Sequence, residues 1–235
     1  MALPKLKTNE YTLTVPSTQE EIKFRPFLVR EQKILMIAEE SNDEKQIASS
    51  MASLVSDCTF GSVDATTSPM FDIEYIFLQI RTKSVGDLVE LQVTCPDDNE
   101  TRVEIEINLN EINIQMNLEH SKSIKLTDNI ALNFRYPIMK DFESLNNDVG
   151  EFEQTIQMIY SCIESVQSGD ELIQRIDMTY DEIVEFIDSF NTSQLESVVN
   201  FFQTMPKLRY VVDIVNPKTK KKSEVLLEGL ESFLA

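Results

Sequence analysis

Forty carboxylates, three cysteines and a single histidine are the groups through which this 235-residue chain could do chemistry. One histidine excludes HExxH and every multi-histidine metal centre. Any Ser-His-Asp or Cys-His arrangement would have to recruit His120. That residue stands in the polar run Glu119-His120-Ser121-Lys122, which reads as an exposed loop. Cys58, Cys95 and Cys162 are an odd, widely spaced set and do not form a disulfide framework. Cys58 and Cys162 fall on apolar helical stripes and read as core thiols. Phosphate cradles need glycine, and the chain has five glycines with neither G-x-x-x-x-G-K-[ST] nor G-x-G-x-x-G. Asp97-Asp98-Asn99-Glu100 lacks the spacing and the glycine of a calcium loop. Two of the many acids could still meet around a divalent cation or act as acid and base, which leaves a small carboxylate-based metal enzyme as an alternative. No pair is marked out for that work, so the expectation is a non-enzyme without cofactor or metal.

Against 40 acids stand 21 basic residues, a formal net charge of -19. Such a chain is repelled by phosphate backbones and anionic lipid, so neither nucleic acid nor membrane is an expected partner. The charge keeps the chain soluble and offers an acidic face to a basic partner. One patch has the opposite sign: Lys218, Lys220, Lys221 and Lys222, near Lys207 and Arg209 at the tip of an expected hairpin. It reads as a solvated loop guarding an edge strand, or as a contact for an acidic partner. Phe201-Phe202 poses a similar choice. Neighbours on a helix point about 100° apart, Val198, Val199 and Phe202 share a face, and a wide buried face is expected. The chain shows no signal segment and no apolar run near about 18 residues. It is expected to fold in a reducing cytoplasm, where the sequons at Asn99 and Asn191 carry no meaning.

The elements that would position these groups follow from periodicity and turn residues. Thr12–Val15 and Glu21–Phe24 read as a hairpin over Pro16-Ser17-Thr18. Pro26 biases Arg25 toward an extended backbone, and a helix over Val29–Ser41 follows, with Ile34, Ile37 and Ala38 on one face. A second helix carries Ile47, Met51, Leu54, Val55 and Cys58, and Gly61 ends it. A third begins with Ser68 as N-cap and Pro69 at the first helical position, buries Ile73, Ile76, Phe77 and Ile80, and stops at Gly86. Leu88–Thr94 and Arg102–Leu109 form a hairpin with Val103, Ile105 and Ile107 inward. Ile112–Met116 is a strand, and Ser123–Leu126 with Ile130–Tyr136 is another hairpin, closed by Pro137. The stripe Phe152, Ile156, Ile159, Ile163 and Val166 predicts one helix. Thr179 with Glu182, and Ser193 with Glu196, are expected capping boxes of two more, and Pro206 ends the last. Leu208–Val215 and Ser223–Leu227 close the chain as a hairpin, with Leu230, Phe233 and Leu234 in a tail. The class is α+β: an N-terminal β-hairpin, a helical segment, a central antiparallel β region, and C-terminal helices followed by a β-hairpin. Expected divisions are a hairpin arm at 1–28, an α+β body at 29–147 and a helical lobe with the terminal hairpin at 148–235, or one continuous domain. There is one internal echo: Thr94-Cys95-Pro96-Asp97 through Leu109 resembles Val215-Asn216-Pro217-Lys218 through Leu230, although strand parity is not kept throughout.

Three blocks carry a resemblance to a known family: the junction FRPFLVREQKILMIAEES after a Leu-Pro opening, SPMFDIEYIFLQIRTKSVGDLVELQVTCPDD from Ser68 to Asp98, and the run from Phe186 to Ala235. In order and spacing the chain resembles the baseplate hub and hub-assembly proteins of T-even-like contractile-tailed phages. The resemblance implies a protein-interaction factor of base plate assembly that binds hub or wedge proteins, either as a structural component or as a chaperone, with self-association left open. It implies residence in the host cytoplasm during assembly, or in the tail base plate of the virion. Arg25, Pro26 and Phe27 at the junction and Lys218, Lys220, Lys221 and Lys222 at the terminal hairpin are the expected protein-binding residues. In some relatives the two X-Pro turns resemble paired-cysteine zinc knuckles. Here Cys95 alone remains, too few ligands for structural zinc. A free-standing cytosolic regulatory binding protein is the remaining alternative.

Overall fold

The computed structural model describes residues 7–41, 44–145 and 149–233. Among them are seven helices and four small antiparallel sheets, an α+β fold that opens on a hairpin and ends on strands. In β1 (Tyr11–Thr14) and β2 (Glu21–Phe24), Leu13 stands opposite Ile22, and Leu13 and Phe24 turn into the core. Helices α1 (Val29–Ser41), α2 (Glu44–Cys58) and α3 (Met70–Val85) follow. On α1 the expected face is not covered. Ala38 is buried, but Ile34 and Ile37 are exposed, because the side turned toward α2 is the one bearing Glu31 and Ala38. On α2 the expected stripe holds: Met51, Leu54, Val55 and Cys58 are buried and Ile47 half-buried. That helix ends where Phe60 and Gly61 take left-handed backbone (φ 57° and 74°) and the Gly61 N–H closes on the Ser56 carbonyl at 2.9 Å.

Helix α3 is the centre of its unit, with Ile73, Ile76, Leu78 and Ile80 fully buried. Its start differs by one residue from expectation. Extended backbone at Pro69 (ψ 140°) makes the proline the N-cap, and the Ser68 hydroxyl donates instead to the Asp64 carbonyl at 2.8 Å. Gly86, at φ 136°, stops the helix. Then come β3 (Leu88–Thr94), β4 (Arg102–Asn108), a 3-10 turn at Leu109–Glu111 and β5 (Asn113–Gln115).

The next stretch builds a unit of its own. Strands β6 (Ser123–Lys125) and β7 (Ile130–Phe134) lead to helices α4 (Met139–Glu143) and α5 (Glu151–Cys162). Strands β8 (Ile163–Ser168) and β9 (Glu171–Gln174) and helices α6 (Tyr180–Asp188) and α7 (Thr192–Thr204) complete it. The sheet order is β6-β7-β8-β9, antiparallel throughout. The single helix expected from Phe152 to Val166 therefore ends at Cys162, and Phe152 is exposed. The misleading spacing has a physical source. Ile163 pairs with Phe134 but Ser165 with Asn133, so Glu164 is the extra residue of a bulge. Ile163 and Val166 thus both face inward at a helical spacing while lying in a strand. The box Thr179–Glu182 caps α6 as expected, with N–H to carboxylate at 2.8 Å. For α7 the box is Asn191–Gln194, not Ser193–Glu196, with bonds of 2.9 and 3.0 Å. Leu132, Phe134, Ile159, Ile163, Ile183, Ile187, Val198 and Phe201 form the core. Phe201 is the buried member of its pair, and Phe202 packs half-buried and edge-on beside it.

Strands β10 (Lys207–Val215) and β11 (Lys222–Glu228) then form the terminal hairpin, followed by a 3-10 turn at Leu230–Phe233. β10 lies between β11 and β5, with Leu208 opposite Ile114. This pairing fixes the organisation: one unit runs to Gln115 and resumes at Lys207, and Met116–Pro206 is the other. Leu230 and Phe233 are docked, while Leu234 lies outside the described residues.

The internal echo extends to a third hairpin. In Val15-Pro16-Ser17-Thr18-Gln19, Cys95-Pro96-Asp97-Asp98-Asn99 and Asn216-Pro217-Lys218-Thr219-Lys220, the fifth residue has left-handed backbone (φ 61°, 54° and 63°). In each, its N–H returns to the first carbonyl at 2.9 Å. The fourth side chain accepts the N–H two residues on in all three, at 3.3, 3.1 and 3.4 Å.

Candidate functional site

The strand-to-helix junction is held by a clasp centred on Arg25, which is 7% exposed. Its guanidinium donates to Glu31 Oε1 at 3.0 Å and to the Pro26 carbonyl at 3.0 Å. Its backbone N–H donates to the Cys58 carbonyl at 2.9 Å, at the end of α2. Glu31, in the first turn of α1, also accepts the Leu28 N–H at 2.7 Å. The Phe27 N–H donates to Ser84 Oγ at 2.9 Å. Burial opposes ionisation of Glu31, but bonds from Arg30, the Leu28 N–H and Arg25 outweigh it and hold the carboxyl below its ordinary range. Arg25 is thus committed within the fold. The junction shows solvent the half-buried Pro26 and Phe27 and the exposed Leu28 and Val29.

The second expected site, the β10–β11 tip, is built on Asn216, 1% exposed. Its side-chain oxygen accepts the N–H groups of Lys218 (2.8 Å) and Thr219 (3.3 Å). Its Nδ2 donates to Asp97 of the β3–β4 turn at 2.9 Å, and the Thr219 hydroxyl donates to the same carboxylate. Fixed this way, Lys218, Lys220, Lys221 and Lys222 are all exposed, and none makes an ion pair among the described residues. Lys207 and Arg209 are different: both are held by Glu228 at 2.7 Å. On this hairpin the free cationic charge is therefore confined to the tip. Across β3–β4 the sign reverses, with Glu90 directly opposite Glu106 and Glu104 beside them.

A family model described as T4 bacteriophage base plate protein matches residues 8–235. The chain belongs to this family. Membership over almost the whole length gives it a structural place in the phage base plate. No curated protein and no solved structure matches it. No helix among the described residues of the base plate protein is long and apolar enough to cross a membrane.

His120, the three cysteines and two acids of the base plate protein have surroundings that the structure defines. His120 is half-buried, not in an exposed loop as the sequence implied: its ring packs against Tyr136 (5.6 Å) and Phe201 (5.1 Å). The Thr204 hydroxyl donates to the Asn200 carbonyl, so at 3.0 Å it accepts from His120 Nδ1–H, and Nε2 is buried with no partner. Burial and the nearby Lys122 lower the imidazole pKa. Burial pushes the Cys58 thiol up to about 11 and Cys162 to about 12, and it raises Cys95 with help from Asp97 and Asp98. None of the three is a ready nucleophile. No group of acids, histidines and cysteines suited to a metal ion occurs among the described residues. Sequence reasoning passed over Asp72 and Glu74, two acids inside the apolar run of α3. Asp72 takes the Ser17 N–H at 3.0 Å together with its hydroxyl, and burial raises its pKa. Burial pushes the Glu74 carboxyl up to about 7, against the Leu230 N–H that donates to it, and the neighbouring Glu231 adds to the rise. The signal was available, since an acid within a buried helical stripe needs a partner.

Proposed function

We propose that this base plate protein acts by surface complementarity, binding hub or wedge proteins while the base plate is put together in the host cytoplasm, with no bond chemistry of its own. The observation that carries the reading is the family match from residue 8 to 235. The lysine tip supports it: four exposed cations on a rigid turn, in a chain of net charge -19, offer a register-setting contact to an acidic patch. Pro26 and Phe27 would add an apolar contact held in place by the Arg25 clasp. Tagged protein recovered from infected cells, with mass spectrometry of both the extract and purified virions, tests this. Hub proteins bound in extract and peptides in virions mark a resident component. Hub proteins bound in extract without peptides in virions mark a chaperone. No co-purified base plate protein in extract and no peptides in virions would end the reading.

A further inference from the structure

The Arg25 clasp occurs twice. Phe24-Arg25-Pro26-Phe27-Leu28-Val29-Arg30-Glu31 aligns with Phe134-Arg135-Tyr136-Pro137-Ile138-Met139-Lys140-Asp141. Four of the clasp's bonds have a counterpart, while Pro137, in the place of Phe27, has no N–H to match the bond to Ser84. Arg135 donates to Asp141 at 2.6 and 2.8 Å and to the Tyr136 carbonyl at 3.1 Å. The Ile138 N–H donates to Asp141 at 2.9 Å, and the Arg135 N–H to the carbonyl of Cys162, the last residue of α5, at 2.9 Å. Phe24 and Phe134 are both buried. In each unit a hairpin leads into the clasp, and two helices follow, the second ending in the accepting cysteine. Further along each half of the chain, an X-Pro hairpin runs into a 3-10 turn that starts at a buried leucine, Leu109 or Leu230. The two halves of the chain thus repeat this order of motifs.

The repeats part company directly after the cysteine. Past Cys162 the chain runs on as β8 and pairs along β7. Past Cys58 it turns away at Phe60 and Gly61, and β2 has no second neighbour among the described residues. The bond from the Val15 N–H to the Glu20 carbonyl sets the parity: Ile22 and Phe24 face β1, and the backbone groups of Glu21 and Lys23 face outward. Arg25, next in that outward series, is the residue that reaches Cys58. The corresponding Ala131 and Asn133 are paired with Gln167 and Ser165. Side-chain cover follows the same division. Met139 is 4% exposed and its counterpart Val29 is 66% exposed, with Leu28 and Phe60 also open.

We infer that the outer edge of β2, flanked by Leu28, Val29 and Phe60, docks an extended segment of another base plate protein. That segment adds antiparallel to β2 as β8 adds to β7. Its chemistry is that of β8: β-branched apolar residues separated by polar ones, as in Ile163-Glu164-Ser165-Val166. A second copy of this chain is the weaker occupant, because two four-residue β2 strands would share too short a ladder and leave Val29 uncovered. The inference rests on the assembly role proposed above.

The test is amide hydrogen exchange on the full chain, alone and with each purified base plate protein of the same phage, together with the variants Lys23→Pro and Val29→Glu. The Lys23 N–H points away from β1, so the proline spares the first hairpin, and Val29 is a surface position. Unchanged circular dichroism checks both variants. The expected result is a complex in which the Glu21 and Lys23 amides slow at least about tenfold, while Lys23→Pro and Val29→Glu each weaken binding at least about tenfold. A complex that leaves those amides fast, or that both variants form as the parent does, overturns the docking edge and leaves the assembly role standing. Protection that rises with concentration in the pure protein overturns the choice of occupant. Binding to none of the base plate proteins overturns the assembly role and this inference with it.

Discussion

Replacing Glu74 by Gln should make the protein more stable, and more so above neutral pH than in mild acid. The carboxyl lies on α3 under the terminal 3-10 turn, where it accepts the Leu230 N–H and faces Glu231 and Glu228. Burial raises its pKa from 4.5 to about 7, and at about 1.4 kcal/mol per pH unit the ionised form costs about 3 kcal/mol. Partial exposure of the side chain trims this to about 2 kcal/mol. The sign follows from linkage. Between the unfolded and folded pKa the native state binds more protons, so stability is full below about pH 4.5 and is lost as pH rises through 7. Glutamine keeps the oxygen that accepts from Leu230 and carries no charge. Urea unfolding of parent and Glu74→Gln at pH 5.5 and pH 8 measures the difference. The variant should gain about 2 kcal/mol at pH 8, a Tm rise of about 4–8 °C for a chain this size, and less than half of that at pH 5.5. An equal gain at both pH values, or a loss at pH 8, would show that the carboxyl is not held protonated by burial.

Four further outcomes are expected. Arg25→Ala removes one of the two cations on the buried Glu31, leaving Arg30 and the Leu28 N–H, and should cost about 3 kcal/mol. Arg135→Ala, whose side chain is 35% exposed, should cost less, and denaturant melts that reverse this order would contradict the two clasps as drawn. His120 should titrate below its ordinary pKa of 6.5 as the Nδ1–H tautomer, read by nitrogen NMR. Its share of stability should then be complete above about pH 6.5 and decline as the pH falls below it, and titration above 6.5 would refute this. Lys220, Lys221 and Lys222 changed together to Glu should leave stability within about 0.5 kcal/mol but slow association with the base plate partner proposed above about tenfold or more at low salt. Undiminished assembly would remove the tip from the interface. A thiol reagent should find no fast-reacting cysteine in the folded protein and three in denaturant, whereas one fast thiol in the folded state would contradict the burial of that cysteine.

Local chemistry carried most of the fold into view. The turns at Pro16, Pro96 and Pro217, the α2 and α3 stripes and the Thr179–Glu182 box are each set within a few residues, and each stands close to where it was expected. What the sequence hid depends on partners distant along the chain. Ile163 and Val166 fit a helix by spacing, and only the bulge opposite Asn133 and Phe134 puts them on one side of a strand. The pairing of β5 with β10 joins residues about ninety positions apart, so no window along the chain reveals it. His120 sits among polar neighbours, and its covering rings come from Tyr136 and Phe201. The clasp was half visible. Arg25 stood out by its setting between Phe24 and Pro26, but its carboxylate partner six residues on, and the second copy at Arg135, required the bonds themselves.

The register of β5 and β10 places Gln115 directly across from Lys207, so the two crossings between the units leave from adjacent strand ends. Residues 116–206 therefore occupy the position of a hairpin loop. An insertion at such a point asks little of its host, because the span to be bridged is about the 4.5–5.5 Å between paired strands. A two-residue turn in place of the whole stretch would satisfy the same geometry. The order of synthesis acquires a direction as well. The inserted unit leaves the ribosome complete while its host still lacks the strand that lies between β5 and β11, so the part that folds last is the one carrying the lysine tip.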